Sequence, residues 1–230
     1  MKLEELLEGK TFLLDKPLDW TSFQLVNKMK YAIKNAYGIK KIKIGHAGTL
    51  DPKATGLLLV CVGKSTKQIS SLQGQTKTYT GTIKLGATTP SYDTEMEETQ
   101  QMDIPAFSIQ TLTEAAQSFV GDEILQYPPV FSAVKKDGKR LFDYARAQKE
   151  VEVPPRIVQV YSFDITYVSM PYVGFKVVCG KGTYIRSLAF DLGKSLGVPA
   201  YLVSLRRTSI GSFEVSDANN QLLKPDFYLG

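Results

Sequence analysis

From Gly45 to Gly56 the chain reads GHAGTLDPKATG and then enters the apolar run LLLVCV. His46 is the only histidine of the sequence, and Asp51 is the only carboxylate of the segment. Pro52 biases Asp51 towards an extended backbone, so a stiff turn and not a helix holds its side chain. A chain built this way presents one reactive group. Chemistries that need a set of partners fit poorly. GKST at Gly63–Thr66 imitates the end of a phosphate-binding loop, but that pattern needs a glycine five residues earlier, where Leu58 stands. A serine or cysteine hydrolase would have to use His46 as its base from within the same turn, with no glycine-flanked nucleophile elsewhere. A glycosidase flanks its bond with two carboxylates; a distant residue such as Asp191 could complete a pair, but nothing in the sequence brings it to Asp51.

A second glycine-rich stretch, CGKGTYIRSLAFDLGKSLG, follows an apolar strand pattern. It predicts a helix starting near Thr183, with Ile185, Leu188, Ala189, Leu192 and Leu196 on one face and a stop at Gly197 ahead of Pro199. Arg186 then sits in the first turn, where a guanidinium can reach a carboxylate or phosphate in bidentate geometry. A plain surface arginine is the alternative reading.

The elements that must position these residues are mixed. TFLLDKP reads as a short strand, and Thr21 or Ser22 caps a helix with Leu25, Val26, Met29 and Ile33 on one face. LLLVCVG suits a buried strand and KTYTGTIKLG another. TLTEAAQSFVG predicts a helix with Thr111 and Glu114 as its capping box and Gly121 as its stop. RIVQVYSFDITYV alternates through Ile157, Tyr161, Phe163, Ile165 and Tyr167, and YVGFKVVCG through Val173, Phe175, Val177 and Cys179, as neighbouring antiparallel strands do. Between the helix and these strands, Pro-Pro pairs bracket a segment with a basic, aromatic short helix around Arg140–Gln148, which reads as a projecting insertion.

With 230 residues, 43% of them hydrophobic, the chain suits one sizeable domain with an appendage. Its longest apolar runs, such as Leu57–Val62, are too short to cross a bilayer, and MKLEELLEGK has no signal-peptide core, which points to the cytoplasm. Cys61 and Cys179 lie in apolar stretches outside any Cys-x-x-Cys pair, so buried thiols are expected and a zinc site is not. The net charge is +5, with basic residues bunched at Lys28, Lys30, Lys34, Lys40, Lys41 and Lys43, again at Lys135, Lys136, Lys139, Arg140, Arg146 and Lys149, and at Arg206 and Arg207. Such patches suit a polyanion, although solvated helix faces explain them equally from charge alone.

Five ordered blocks carry a resemblance: GHAGTLDPKATGLLLVCVGKSTK, KTYTGTIKLG, YPPVFSAVKKDGKRLFDYAR, KGTYIRSLAFDLG and LVSLRRTSIGSF. Together, from LLDKPLDWTS almost to the carboxyl end, they resemble the bacterial TruB family, which isomerises uridine 55 in the T loop of tRNA to pseudouridine. The resemblance implies an α+β pseudouridine synthase fold with a mixed, largely antiparallel sheet flanked by helices. It implies a single catalytic domain over 1–230 with an RNA-gripping insertion at about 124–155. The reaction breaks the N1–C1′ bond, turns the uracil, joins C5 to C1′ and releases the C5 proton. It has no net redox change, so no cofactor is expected.

By the same resemblance Asp51 is the essential aspartate and Arg186 the arginine that pairs with it. Tyr79 stacks on the flipped uracil and is a candidate for the C5 proton transfer. His46 lies beside the extruded nucleotide, Leu205 lines the uracil pocket, and Arg206 and Arg207 reach phosphates. Lys16 and Pro17 brace the active-site loop, and Lys135, Lys136 and Arg140 belong to the segment folded over the T arm. After SLRRTSIGSF only EVSDANNQLLKPDFYLG remains, too short for the PUA domain of many members, so no acceptor-end contacts are expected. The expected partner is the T stem-loop of tRNA, with no membrane and no obligatory protein partner, and the chain is expected to act as a monomer. Two other readings stay open: an RNA-binding tRNA folding chaperone whose isomerase activity is incidental, and a box H/ACA-type rRNA pseudouridine synthase.

Overall fold

The computed structural model describes residues 1–132, 135, 136, 138–140, 144, 147 and 153–229. By its internal contacts the α+β chain divides into two compact units, Met1–Tyr79 with Arg206–Gly230, and Thr80–Leu205.

In the first unit β1 (Lys10–Lys16) runs antiparallel to β3 (Ala54–Val62), from Lys10↔Val62 to Lys16↔Gly56. The short β2 (Ile44–His46) pairs with the far end of β3, so that His46 faces Val60. Helix α2 (Ser22–Tyr37) begins at Thr21 in a capping box with Gln24, whose side chain and backbone satisfy each other's open donors. It ends at Gly38, whose positive φ of 64° closes the last turn as glycine does without strain. Leu25, Met29 and Ile33 of α2 pack with Leu14, Leu58, Val60 and Val62 in one cluster, while Leu57 and Leu59 join Ala47 and Ile210 in another. β3 is therefore covered on both faces, which is why its sequence is a continuous apolar run and not an alternation.

Gly56 allows a very close approach in this unit. Its φ is +105°, and a Cβ there would lie 2.2 Å from the Arg207 carbonyl oxygen. Only a residue without a side chain lets β3 run so near β12 (Ala200–Ile210), whose last residues, from Arg206 onward, belong to this unit.

The second unit has the strand order β12-β4-β11-β10-β7, formed by β4 (Lys77–Leu85), whose first three residues belong to the first unit, β7 (Gly121–Gln126), β10 (Arg156–Ser169) and β11 (Tyr172–Cys179) beside the first part of β12. β10 is antiparallel to both β11 and β7. Its buried residues are Val158, Val160 and Phe163, whereas Ile157, Tyr161 and Tyr167 are exposed. The expected single alternating face thus breaks, because register shifts at Val160/Ser162 and Ile165/Tyr167 each exchange inward for outward positions. β11 keeps its expected face, with Val173, Phe175, Val177 and Cys179 all buried.

Helix α4 (Ile109–Gln117) starts earlier than the sequence pattern predicts. Ser108, not Thr111, is the cap: its hydroxyl accepts from the Thr111 N–H at 3.0 Å. Gly121 does not stop the helix but opens β7. Within the insertion, β8 (Lys135–Lys136) and β9 (Lys139–Arg140) form a two-stranded ribbon that the sequence pattern does not reveal. Arg140 is thus on a strand, and the rest of the expected helix, with Arg146 and Lys149, falls largely outside the described residues. Among the described residues no helix is long and apolar enough to cross a membrane.

Candidate active site

Asp51 sits in the loop between β2 and β3, and three buried side chains fix that loop at alternate residues. The Arg207 Nη2 donates to the Gly48 carbonyl at 3.0 Å. The Ser22 hydroxyl accepts from the Leu50 N–H at 2.8 Å and donates to the Leu50 carbonyl at 3.1 Å. The Lys16 ammonium donates to the Pro52 carbonyl at 3.3 Å, and also to Pro17 at 2.8 Å and Trp20 at 2.6 Å. The Asp19 N–H adds a bond to the Pro52 carbonyl at 2.9 Å, and the Asp51 carbonyl accepts from the Ala54 N–H at 3.1 Å. The backbone on both sides of Asp51 is thereby held, as a carboxylate that must meet one atom in one direction requires.

Two of these clamps are cations shut away from water: Lys16 is 0% and Arg207 1% exposed. Burial pulls the Lys16 ammonium down to about 8, with Arg207 acting in the same direction and the Asp51 and Asp19 carboxylates opposing it. Arg207 directs its Nε to the Leu57 carbonyl at 2.8 Å, so it braces the loop and does not reach outward to phosphates as the resemblance implies. Arg206 forms a fork with Asp15, at 3.0 and 2.6 Å, on a half-exposed surface. His46 is half-buried. Burial chiefly, and then the Arg207 charge, lower its pKa, which favours the neutral ring. The Gly48 backbone opposes the shift without aligning well enough to bond the imidazole, and Nδ1 has no hydrogen-bond partner among the described residues. Tyr79, on β4, is buried at 8% exposure in this same unit.

Arg186 lies in the other unit, in the first turn of α5 (Ile185–Ser195), and is 4% exposed, so the surface reading fails. Its Nη1 donates to the Ser91 carbonyl at 3.0 Å and the Phe131 carbonyl at 3.1 Å. Its Nε is 3.6 Å from Oδ2 of Asp93, itself 3% exposed. Asp93 is held in turn by the Ser91 hydroxyl at 2.6 Å and the Glu95 N–H at 3.0 Å. At the start of α5 the Gln126 side-chain amide brackets Tyr184, accepting from its N–H at 2.7 Å and donating to its carbonyl at 3.0 Å. A guanidinium anchored on so many sides is oriented for one task.

Of the residues singled out from sequence, His46, Asp51, Tyr79 and Arg206 belong to the first unit and Lys135, Lys136, Arg140, Arg186 and Leu205 to the second. Leu205 is buried at 9% exposure, and Lys135 faces Arg140 across the insertion ribbon. Sequence reasoning missed Ser22 as a loop clamp, Arg207 as a buried brace and Asp93 as the partner of Arg186. The signal for Asp93 was its place in the acidic stretch YDTEMEETQQMD, which hides one buried carboxylate among solvated ones.

Comparison with known proteins gives a consistent picture. Residues 34–185 match the family model described as TruB family pseudouridylate synthase (N terminal domain). The chain is 54% identical over 219 residues to the tRNA pseudouridine synthase B of Flavobacterium johnsoniae, covering 95% of each. It is 50% identical over 212 residues to the protein of the same name from Chlorobaculum tepidum, covering 92% of this chain and 87% of the relative. Among solved structures, it resembles a chain of a Cbf5-Nop10-Gar1 complex with 31% identity and a TM-score of 0.67, covering 93% of this chain and 52% of that one. A chain of the archaeal box H/ACA sRNP Nop10-Cbf5 complex matches at 27% identity with the same TM-score of 0.67, over 99% of this chain and 56% of that one. The chain therefore spans about half the length of these solved chains.

Proposed function

The chain belongs to the TruB family of pseudouridylate synthases, and from that premise we propose that it isomerises uridine 55 in the T loop of tRNA to pseudouridine. The observation that carries this reading is the likeness, over nearly the whole of both chains, to the Flavobacterium johnsoniae tRNA pseudouridine synthase B. The substrate uridine leaves the stack at a cost of a few kcal/mol and enters the enzyme as a flipped nucleotide. Asp51 is the carboxylate that acts on it, and its solitude suits a group that handles one sugar or base atom. Arg186 is the arginine that in the family pairs with the catalytic aspartate, and Tyr79 supplies the ring on which the uracil stacks. His46 contacts the nucleotide beside the flipped base, Leu205 lines the uracil pocket, and Arg206 with Lys135, Lys136 and Arg140 meets phosphates.

On this reading the chain acts in the cytoplasm, as a monomer without an obligatory protein partner. A guide-dependent role on rRNA is less favoured, since the likeness to the H/ACA chains covers only about half of them. The test is pseudouridine mapping of unmodified tRNA transcripts incubated with the purified chain alone. Conversion at position 55 is expected; transcripts left unmodified there, or modified only when a guide RNA is added, would sink the proposal.

A further inference from the structure

Between Asp19 and Asp51 the sequence contains six lysines and no acidic residue. In the structure these lysines share the outer side of α2 and the segment after it. Lys28, Lys40, Lys41 and Lys43 are exposed, and Lys30 and Lys34 are half-buried. Among the described residues none of the six is in an ion pair, whereas other lysines find carboxylates: Lys10 with Glu5, Lys53 with Asp19, Lys64 with Glu8 and Lys84 with Glu98. At the carboxyl end of α2 the carboxylates of Glu5 and Glu4 act on Tyr37. The polar face also carries two aromatic side chains that no core claims, Phe23 at 69% and Tyr31 at 66% exposure. They lie about 12 Å apart along the axis at 1.5 Å per residue. Lys34 Nζ stands 5.8 Å from the centre of the Tyr31 ring. Gln24, Asn27 and Asn35 complete a face of cations, amides and two rings.

We propose that the outer face of α2 and the Lys40–Lys43 segment are a second RNA-binding surface, in which the lysines meet phosphates of the substrate RNA and Phe23 and Tyr31 pack on sugars or bases. This rests on the reading of an RNA substrate. The surface is separate in the chain from the insertion and leads directly into the Asp51 loop. Lysines without acids lower the free energy of a polyanion by releasing its counterions, and exposed rings among them serve as stacking platforms. A membrane surface fits less well, because the apolar face of α2, with Leu25, Met29 and Ile33, is already consumed by the core.

The experiment compares wild type with a variant carrying Gln at all six lysines, and with Lys40→Gln/Lys41→Gln/Lys43→Gln, whose changes lie outside the helix. Binding of an unmodified tRNA transcript is measured from low to high salt. The log–log slope should flatten by about 0.7 to 0.9 for each phosphate no longer neutralised, hence by about 2 to 3 in the triple variant. Lys10→Gln/Lys64→Gln, which removes paired lysines, should leave the slope as it is. Phe23→Ala/Tyr31→Ala should weaken binding by about fivefold or more at constant slope. Wild-type slopes in both lysine variants would overturn the proposal, as would binding to phosphatidylserine vesicles that the six-lysine variant loses while its RNA slope stays unchanged. Uridine conversion by the wild type is followed on the same transcript. Conversion with unchanged slopes refutes the surface and spares the function; flattened slopes without conversion refute the function and spare the surface.

Discussion

One buried guanidinium, that of Arg207, bonds both the Gly48 carbonyl ahead of Asp51 and the Leu57 carbonyl beyond it, at 3.0 and 2.8 Å. The two donors sit on separate nitrogens of one rigid plane, so the loop's entry and the strand beyond it are held at one spacing. Lysine cannot reproduce this, because it has a single nitrogen in place of the planar fork.

Arg207→Lys should therefore lower kcat by about a hundredfold, the cost of misplacing a catalytic group by about 1 Å, with KM changed less than about threefold. Steady-state kinetics on tRNA transcripts check this. A KM effect larger than the kcat effect would instead make Arg207 a contact to RNA.

Asp51→Asn keeps size and hydrogen bonding but removes the charge that a nucleophile or general base needs. Conversion should fall at least about a thousandfold while tRNA binding persists. The same variant separates the enzyme from an RNA chaperone, whose refolding of tRNA would not depend on this carboxylate. Activity within about tenfold of wild type would remove Asp51 from the chemistry.

Lys16 titrates near 8 in the folded chain against 10.5 unperturbed. Between these values the unfolded chain holds the extra proton, so the contribution of Lys16 to stability rises with pH through that window. Tyrosines with raised pKa values, such as Tyr37 and Tyr92, bring an opposite slope above about 10, where they ionise in the unfolded chain first. Urea unfolding at about pH 8 and about pH 9.5 should thus show wild type gaining on Lys16→Met as pH rises. Parallel pH profiles for the two proteins would place the Lys16 proton elsewhere.

Asp93→Asn takes a carboxylate away from the buried guanidinium of Arg186 and should cost about 3 kcal/mol in urea unfolding. If Arg186 serves the reaction, kcat falls as well, and Asp93→Glu should recover part of it. A variant as stable as wild type would show that the Ser91 and Phe131 carbonyls suffice.

Much of this was legible in the sequence because the signals were local. The Thr21 cap, the apolar face of α2 and the first-turn place of Arg186 all follow from spacing within one element. Asp51 stood out by its turn chemistry, and its bracing by Lys16 by resemblance. What stayed hidden was set by distant parts of the chain. Ser22 meets Leu50, and Arg207 meets Gly48, only after β1, β3 and β12 are side by side. The outward face of β10 is misread from sequence because both of its faces carry apolar residues and two register shifts exchange them. Thr111 masks Ser108 as the cap because both have hydroxyls three residues ahead of a suitable partner.

Each compact unit contains one cysteine, Cys61 in the first and Cys179 in the second, at 0% and 1% exposure. Neither is in a disulfide. A thiol reagent can reach either sulfur only when the surrounding strands part, so the rate of labelling at each reads how often that unit opens. Mass spectrometry of the two cysteine peptides after timed exposure would resolve the two clocks in a single unmodified protein. Adding tRNA should slow one, the other or both, and the pattern would tell which half of the molecule the RNA makes rigid.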